Sequence, residues 1–247
     1  MKILLLDVEL APNLGTFWGI FQQNIGINQL METSRLMCYA AKWLGKSGMS
    51  FDSEYKSAHE SMVRGLHQLL SEADVVVHYN GDKFDIPVLN REFLLYGMVP
   101  PDPYRSLDLL RTIRKRFRFV SNKLDHVAQE LKLGKKVRHE GHELWLKCMA
   151  RDGQAWRKME QYNKQDVVLL EKLYKRILPW IDTHPNHNLY ASRPVCPTCG
   201  SIHVIKKGVE HLKTRSYQRY RCNSCGTPIR STNSIAGTGV KLTQVGA

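Results

Sequence analysis

The chain has 247 residues, 43% of them hydrophobic and 24% charged, the balance of an ordinary soluble globular protein with room for one α/β domain and a small appendage. It contains no apolar run of membrane-spanning length and no secretory leader, which argues against a membrane partner and predicts a cytoplasmic protein. Lys and Arg number 36 against 23 Asp and Glu, and a formal charge of +13 points to a polyanionic partner.

Residues 3–6 are apolar at every position, so the chain opens with a strand covered on both faces. It runs into Asp7 and Glu9, which share one face with Val8 opposite. Two carboxylates crowded beside a core repel each other and are costly to desolvate unless a cation lies between them, and hard oxygen ligands suit Mg²⁺ or Mn²⁺. A strand fraying after Leu6 would instead leave both acids simply solvated. A turn at 13–15 follows. Residues 17–23 (FWGIFQQ) read as a strand completing a hairpin-like rise, and residues 35–44 as another, although Ala40, Ala41 and Lys42 leave a helix open there.

Met62, Leu66, Leu69 and Leu70 recur at helical spacing within 57–73, which predicts an amphipathic helix. DVVVH at 74–78 is a short strand, and NGDKFD turns out of it. Pro87 and Gly97 bracket a helix over 86–96. Pro100, Pro101 and Pro103 break the chain before helices at 107–117, carrying Arg111, Arg114, Lys115 and Arg116, and at 123–133. Residues 134–153 are basic and His-containing and show no assignable pattern. A long helix over 154–178 ends at Pro179. Strands followed by alternating helix and strand predict an α/β fold with a mixed sheet.

Asp85 follows a strand and a tight turn, where α/β sheets present functional groups and where Asp also caps helices. Tyr162 and Asp166 share one face of the last helix, continued by Leu169, Leu170, Leu173 and Ile177, so Asp166 is directed inward. With no Arg or Lys partner beside it in sequence, a buried Asp there calls for a metal. DVE at 7–9, NGDKFD at 80–85 and YNKQD at 162–166 resemble, in order, the three motifs of the DEDD exonucleases, a superfamily with a ribonuclease H-like fold. Within residues 1–182, SLDLL and KLDHVAQEL resemble the proofreading domains of family-B DNA polymerases and their stand-alone relatives, some carried by phages. Gln161 stands where one branch has His, and Tyr162 where the other has Tyr, so the chain resembles the tyrosine subclass.

That resemblance implies a ribonuclease H-like mixed sheet flanked by helices, in the host cytoplasm if phage-encoded. It implies that Asp7, Glu9, Asp85 and Asp166 hold two Mg²⁺ or Mn²⁺ ions, that Tyr162 orients the attacking water, and that Leu10 and Asn80 touch the substrate. The implied product is a nucleoside 5′-monophosphate released from a 3′ end, of DNA in preference to RNA. An endonuclease or ribonuclease on the same site stays open, as does a non-catalytic nucleic-acid-binding or adaptor module, against which the intact acids argue. Asp108 reads as an acid supporting the ligands or as a helix cap. His139, Glu140, His142 and Glu143 read as a solvated loop rather than a second metal site, because Gly141 breaks any helical display.

Cys196 and Cys199, then Cys222 and Cys225, form two C-x-x-C pairs that predict one structural Zn²⁺ closed by four thiolates. Cys38 and Cys148 read as buried thiols without chemistry. Gly200 and Gly226 each follow a knuckle where the chain must turn back over the metal. So small a segment would draw much of its folding energy from zinc. If SYQRYRC is a strand, Tyr217, Arg219 and Arg221 share a face suited to phosphate contact and base stacking. YQRYRCNSCG resembles the zinc ribbons of some insertion-sequence transposase proteins. Residues 193–247 carry nine Lys or Arg against one acid, Glu210, which suggests that this part grips nucleic acid while the body acts on it; a ribbon that binds a protein partner is the alternative. The expected division is a nuclease domain at 1–182, a linker at 183–192, a ribbon at 193–230 and a flexible tail at 231–247.

Overall fold

A computed structural model describes residues 1–22 and 24–235. Its larger sheet is built around β1 (Ile3–Leu10), whose apolar run is buried on both faces as its composition requires. A small hairpin, β2 (Leu14–Gly15) and β3 (Leu30–Glu32), precedes β4 (Leu36–Trp43) and β5 (Ser50–Ser53). Then come α1 (His59–Ser71), β6 (Val75–His78), α2 (Asp85–Leu95), β7 (Arg105–Asp108), α3 (Leu109–Arg116), α4 (Leu124–Glu130), α5 (His142–Met149) and α6 (Gly153–Ile177). The strand order is β5-β4-β1-β6-β7, antiparallel from β5 through β1 and parallel from β1 through β7. This is the mixed sheet expected.

The period of two in β1 sorts its side chains. Leu4, Leu6 and Val8 join Met62, Val63, Leu66 and Leu70 of α1 and Leu89 and Phe93 of α2 in one core. A second core gathers Met37 and Cys38 of β4 with Leu144 and Cys148 of α5 and Trp156, Met159 and Tyr162 of α6. Asp7 and Glu9 are thereby excluded from the first core.

Two expectations need correcting, and the strand read at 35–44 holds. Residues 17–22 form no strand: Phe17, Trp18, Ile20 and Phe21 are exposed in the loop between β2 and β3, because strand-like composition lacks a partner to pair with. The helix left open at 35–44 is overruled, since β4 bonds to β1 on one side and β5 on the other. Residues 107–108 belong to β7, and its helix begins only at Leu109. The unassigned stretch at 134–153 contains α5.

The chain divides into two compact units, Lys2–Tyr174 and one that joins Met1 to the residues from Lys175 onward. The second unit carries an antiparallel sheet of β8 (Val204–His211), β9 (Ser216–Cys222) and β10 (Pro228–Ser234), with β9 central. Residues 231–234, expected to open a flexible tail, are instead the end of β10, and the rest of that tail from 236 lies outside the described residues. Among the described residues no helix is long and apolar enough to cross a membrane.

Candidate active site and thiolate cluster

With Val8 anchored in the first core, Asp7 and Glu9 face α6, which brings Asp166 to them: one oxygen from each of the three carboxylates lies within 4.8 Å of the others. Asn163, one turn before Asp166, fixes the strand to the helix by donating to the Asp7 carbonyl (3.2 Å) and to Asp7 Oδ2 (2.7 Å). Asp166 is 1% exposed. Its Oδ2 accepts from Lys136 Nζ at 2.5 Å, while its Oδ1 is buried without a hydrogen-bond partner. Lys136 also donates to the Tyr162 hydroxyl at 3.2 Å, and its backbone N–H is held by Asp125.

The electrostatics follow from this crowding. Burial, then the charges of Asp166, Glu9 and Asp85, push Asp7 well above the usual carboxylate range. Burial and Asp166 push Glu9 up to about 8. Asp166 is raised by burial despite Lys136. Burial pulls Lys136 down, but Asp166, Tyr162 and Asp7 outweigh it and hold the ammonium above its usual value. Burial and Glu9 raise Tyr162, so its phenol keeps its proton at neutral pH.

Asp85 stands outside the group of three. It is the first residue of α2, whose N-cap is Phe84, and burial followed by Asp108 pushes it up to about 7. The turn before it is fixed in several ways. Asn80 takes a left-handed conformation (φ 68°), which Asn tolerates better than most residues, and its N–H donates to Asp108 Oδ1 at 2.8 Å. The same oxygen caps α3 through Leu110 N, so Asp108 is a helix cap that also holds the turn. His78, wholly buried and lowered in pKa by that burial, accepts from Gly81 N at Nδ1 (3.0 Å) and therefore donates from Nε2 to Ser106 Oγ (2.7 Å). Ser106 in turn donates to Asp82, which pairs with Arg111 at 3.1 Å. A hydroxyl committed to Asp82 is a structural link and not a nucleophile.

Two cavities flank the cluster. A cleft of about 590 Å³ is lined by Asp7, Asn80, Arg114, Lys123, Asp125 and Lys136. A smaller pocket of about 370 Å³ is lined by Leu10, Pro12, His139, His142 and Trp145. Rather than a solvated loop, His139 forms an aromatic wall, its ring 4.8 Å from Tyr162 and 5.2 Å from Trp145. Glu140 and Glu143 are taken by Lys158 and Lys147. Sequence reasoning missed Lys136, Asn163 and this wall; for Asn163 the signal was available, since it stands three residues before Asp166 on the same helix.

A model of the RNase_H superfamily matches residues 40–178, more than half of the chain. The chain belongs to the RNase_H superfamily. The match takes in Asp85, Tyr162 and Asp166 and begins after Asp7 and Glu9. Among solved structures, the chain is similar to the family B DNA polymerase from the hyperthermophilic archaeon Pyrobaculum calidifontis, with a TM-score of 0.54 and 20% identity over 72% of this chain. It spans about a quarter of that polymerase, 24% of its length, and the likeness is one of fold. No curated protein matches the sequence.

In the second unit of this superfamily member, Cys196, Cys199, Cys222 and Cys225 converge. Cys196 and Cys225 are 3.7 Å apart at sulfur, and Cys199 and Cys222 3.6 Å. A Zn–S bond of about 2.3 Å puts tetrahedral sulfurs roughly 3.8 Å apart, so the set fits zinc. Gly200 and Gly226 turn behind the knuckles with φ of 72° and 80°, a region costly for side chains bearing a Cβ. Tyr217, Arg219 and Arg221 alternate along β9. Arg219 lies opposite Arg230 in register, and Arg230 stands 4.6 Å over the Tyr217 ring.

Two predictions follow from the first unit. A Cβ at Gly81 would sit 2.6 Å from the His78 ring and 2.9 Å from Asp85 Oδ2, so Gly81→Ala must displace Asp85. Mn²⁺ affinity measured by calorimetry is expected to fall about tenfold or more, and unchanged affinity would show that Asp85 takes no part. The second concerns pH. Carboxylates raised in the folded state contribute stability that is present below their unfolded values and lost as pH rises through the folded ones, up to about 8 for Glu9. A divalent cation competes with those protons, so the increase in Tm caused by Mg²⁺ or Mn²⁺ should grow from about pH 5 to about pH 8. An increase of the same size at both ends would contradict a cation bound by these carboxylates.

Proposed function

We propose that this protein is a divalent-metal-dependent 3′–5′ exonuclease that hydrolyses phosphodiester bonds at nucleic-acid 3′ ends, DNA in preference to RNA, and releases nucleoside 5′-monophosphates. The observation that carries the reading is Asp166 Oδ1, a buried carboxylate oxygen without a partner, converging with Asp7 and Glu9. With Asp85 close enough to raise both, up to four carboxylates face the single ammonium of Lys136. Hard oxygens short of positive charge fit Mg²⁺ or Mn²⁺. Two such ions held by Asp7, Glu9, Asp85 and Asp166 would supply an activated water and charge stabilisation at the leaving oxygen.

The protein's own groups have separable tasks. Tyr162, protonated at neutral pH, orients water by hydrogen bonding instead of removing its proton. Lys136 holds that hydroxyl and Asp166 in register. Arg114 and Lys123 suit the phosphates of an incoming strand, near Asn80, and Leu10 with Trp145 suits the terminal base. Superfamily membership and the fold shared with a DNA polymerase support nuclease chemistry in general. The order and residue types of the three acidic motifs favour the 3′–5′ exonuclease of the tyrosine subclass. For the second unit, a ribbon closed by one Zn²⁺ on its four cysteines is proposed to bind nucleic acid. Two arginines directly opposite each other on a sheet repel, and Glu210 at 3.3 Å from Arg230 relieves that only on one side, which favours a further anion beside Arg219.

On DNA labelled at the 3′ or the 5′ end, Asp7→Ala should abolish hydrolysis while Tyr162→Phe lowers the chemical step by about 10²–10⁴-fold with metal affinity kept. A Tyr162→Phe rate equal to that of wild type would remove the subclass assignment, and products retaining an internal cut would favour an endonuclease. RNA labelled in the same way separates the two substrates. For the ribbon, Arg219→Ala combined with Arg221→Ala should weaken binding to oligonucleotides and make the slope of log K against log salt shallower by about 1–2. An identical slope would point to a protein partner for the ribbon.

A further inference from the structure

The loop between β2 and β3 is unlike the rest of the molecule. In a chain with 24% charged residues, positions 11–31 contain none. What they contain is aromatic and aliphatic side chains interspersed with carboxamides. Trp18 is 99% exposed, Ile27 89%, Phe21 86% and Ile20 83%, with Phe17 and Ile25 more than half exposed. The loop is nevertheless closed at its neck. Thr16 N donates to Gln29 O, the Gln29 side chain donates back to Thr16 O and accepts from Gly26 N, and a Cβ at Gly15 would meet Gln29 O at 2.9 Å. A shaped neck presenting an apolar tip to water needs an occupant to cover that tip.

Its position and chemistry select the occupant. The hairpin that carries the loop follows the strand bearing Asp7 and Glu9, and the link into it, Leu10 at the end of that strand and Pro12, is a wall of the pocket whose other side is His139 and Trp145. His139 in turn abuts Tyr162. The cations that suit phosphates, Arg114 and Lys123, line the separate cleft at Asp7. A segment without charge lacks the ionic attraction that dominates phosphate binding, whereas its aromatic faces stack on bases and its carboxamides can hydrogen-bond to base edges. We propose that the loop between β2 and β3, through its described residues 16–22 and 24–29, is a strand-opening wedge, its aromatic tip stacking on the terminal base pair of a duplex so that one unpaired 3′ strand enters the carboxylate cluster.

This rests on the proposal that nucleic acid is the substrate, and the test separates the two. The full-length protein is mixed, with Ca²⁺ replacing Mg²⁺, with blunt duplex or single-stranded DNA carrying 2-aminopurine next to the 3′ end, and fluorescence reports unstacking of that base. Cleavage of the same DNAs is measured with Mg²⁺. Wild type is expected to unstack the duplex end. Trp18→Ala with Phe21→Ala should lower that signal, and the ratio of duplex to single-strand cleavage, by about tenfold or more, the range that loss of a base–aromatic stack gives. Val120→Ala, at an apolar residue 96% exposed on another segment, should change neither. Trp18→Phe should retain most of the signal, and if the alanine pair lowers the melting temperature, Trp18→Gln alone decides. An unchanged ratio, an equal loss on both DNAs, or light scattering that finds a dimer abolished by Trp18→Ala would overturn the wedge; the last would make the tip an interface between copies. If wild type opens the duplex but cleaves neither DNA, the wedge stands and the exonuclease reading falls.

Discussion

Carboxylates of like charge, forced together at the end of a buried strand, are the constraint on which the first unit depends. The apolar alternation of β1 fixes Val8 in one core and so commits Asp7 and Glu9 to the α6 side. Helical spacing then delivers Asn163 and Asp166 on one turn, the first as a hydrogen-bond donor to Asp7 and the second as a further acid. A fold that buries repelling charges must relieve them with protons, an ammonium or metal cations. Raised pKa values at Asp7, Glu9 and Asp166 and the Lys136 contact are the first two of these. The orphaned Asp166 Oδ1 marks where they fall short.

The turn before Asp85 shows how the surroundings were made rigid around that constraint. His78, Ser106, Asp82 and Arg111 form one chain of contacts, and Asp108 bridges the Asn80 backbone to the start of α3. These links tie β6, β7 and α3 to the turn that presents Asp85. A neutral, single-tautomer His78 suits this task, because a protonated ring could not accept from Gly81 N.

Much of this was legible in the sequence wherever a pattern is local. The central strand and the amphipathic α1 were found, and the three acids that converge, Asp7, Glu9 and Asp166, were singled out, because alternation, 3.6-residue periodicity and turn residues are properties of short windows. Lys136 was not, because it stands 30 residues from Asp166 in a stretch with no period and only the fold brings them together. β7 was hidden for a different reason: four residues run straight into α3, and Leu107 continues the helical pattern backwards. Residues 17–22 failed in the opposite direction, since aromatic and β-branched composition reports apolarity as much as pairing. His139 was read as solvated and Trp145 was passed over because an aromatic wall assembled from a loop and a helix leaves no regular spacing.

The two units present the same physical situation with opposite sign. In the first, acids crowd with one lysine among them. In the second, Arg219 faces Arg230 across β9 and β10, relieved in part by the Tyr217 ring and by Glu210 at 3.3 Å from Arg230. Each arrangement costs folding free energy in the isolated chain, so each is stabilised by a bound species of the other sign. Metal cations are the species proposed for the first and a phosphate backbone the species proposed for the second. A surplus of +13 alongside buried, mutually repelling acids is the charge balance that the proposed combination requires: cations at a few carboxylates, and a polyanion on a surface that is basic in net.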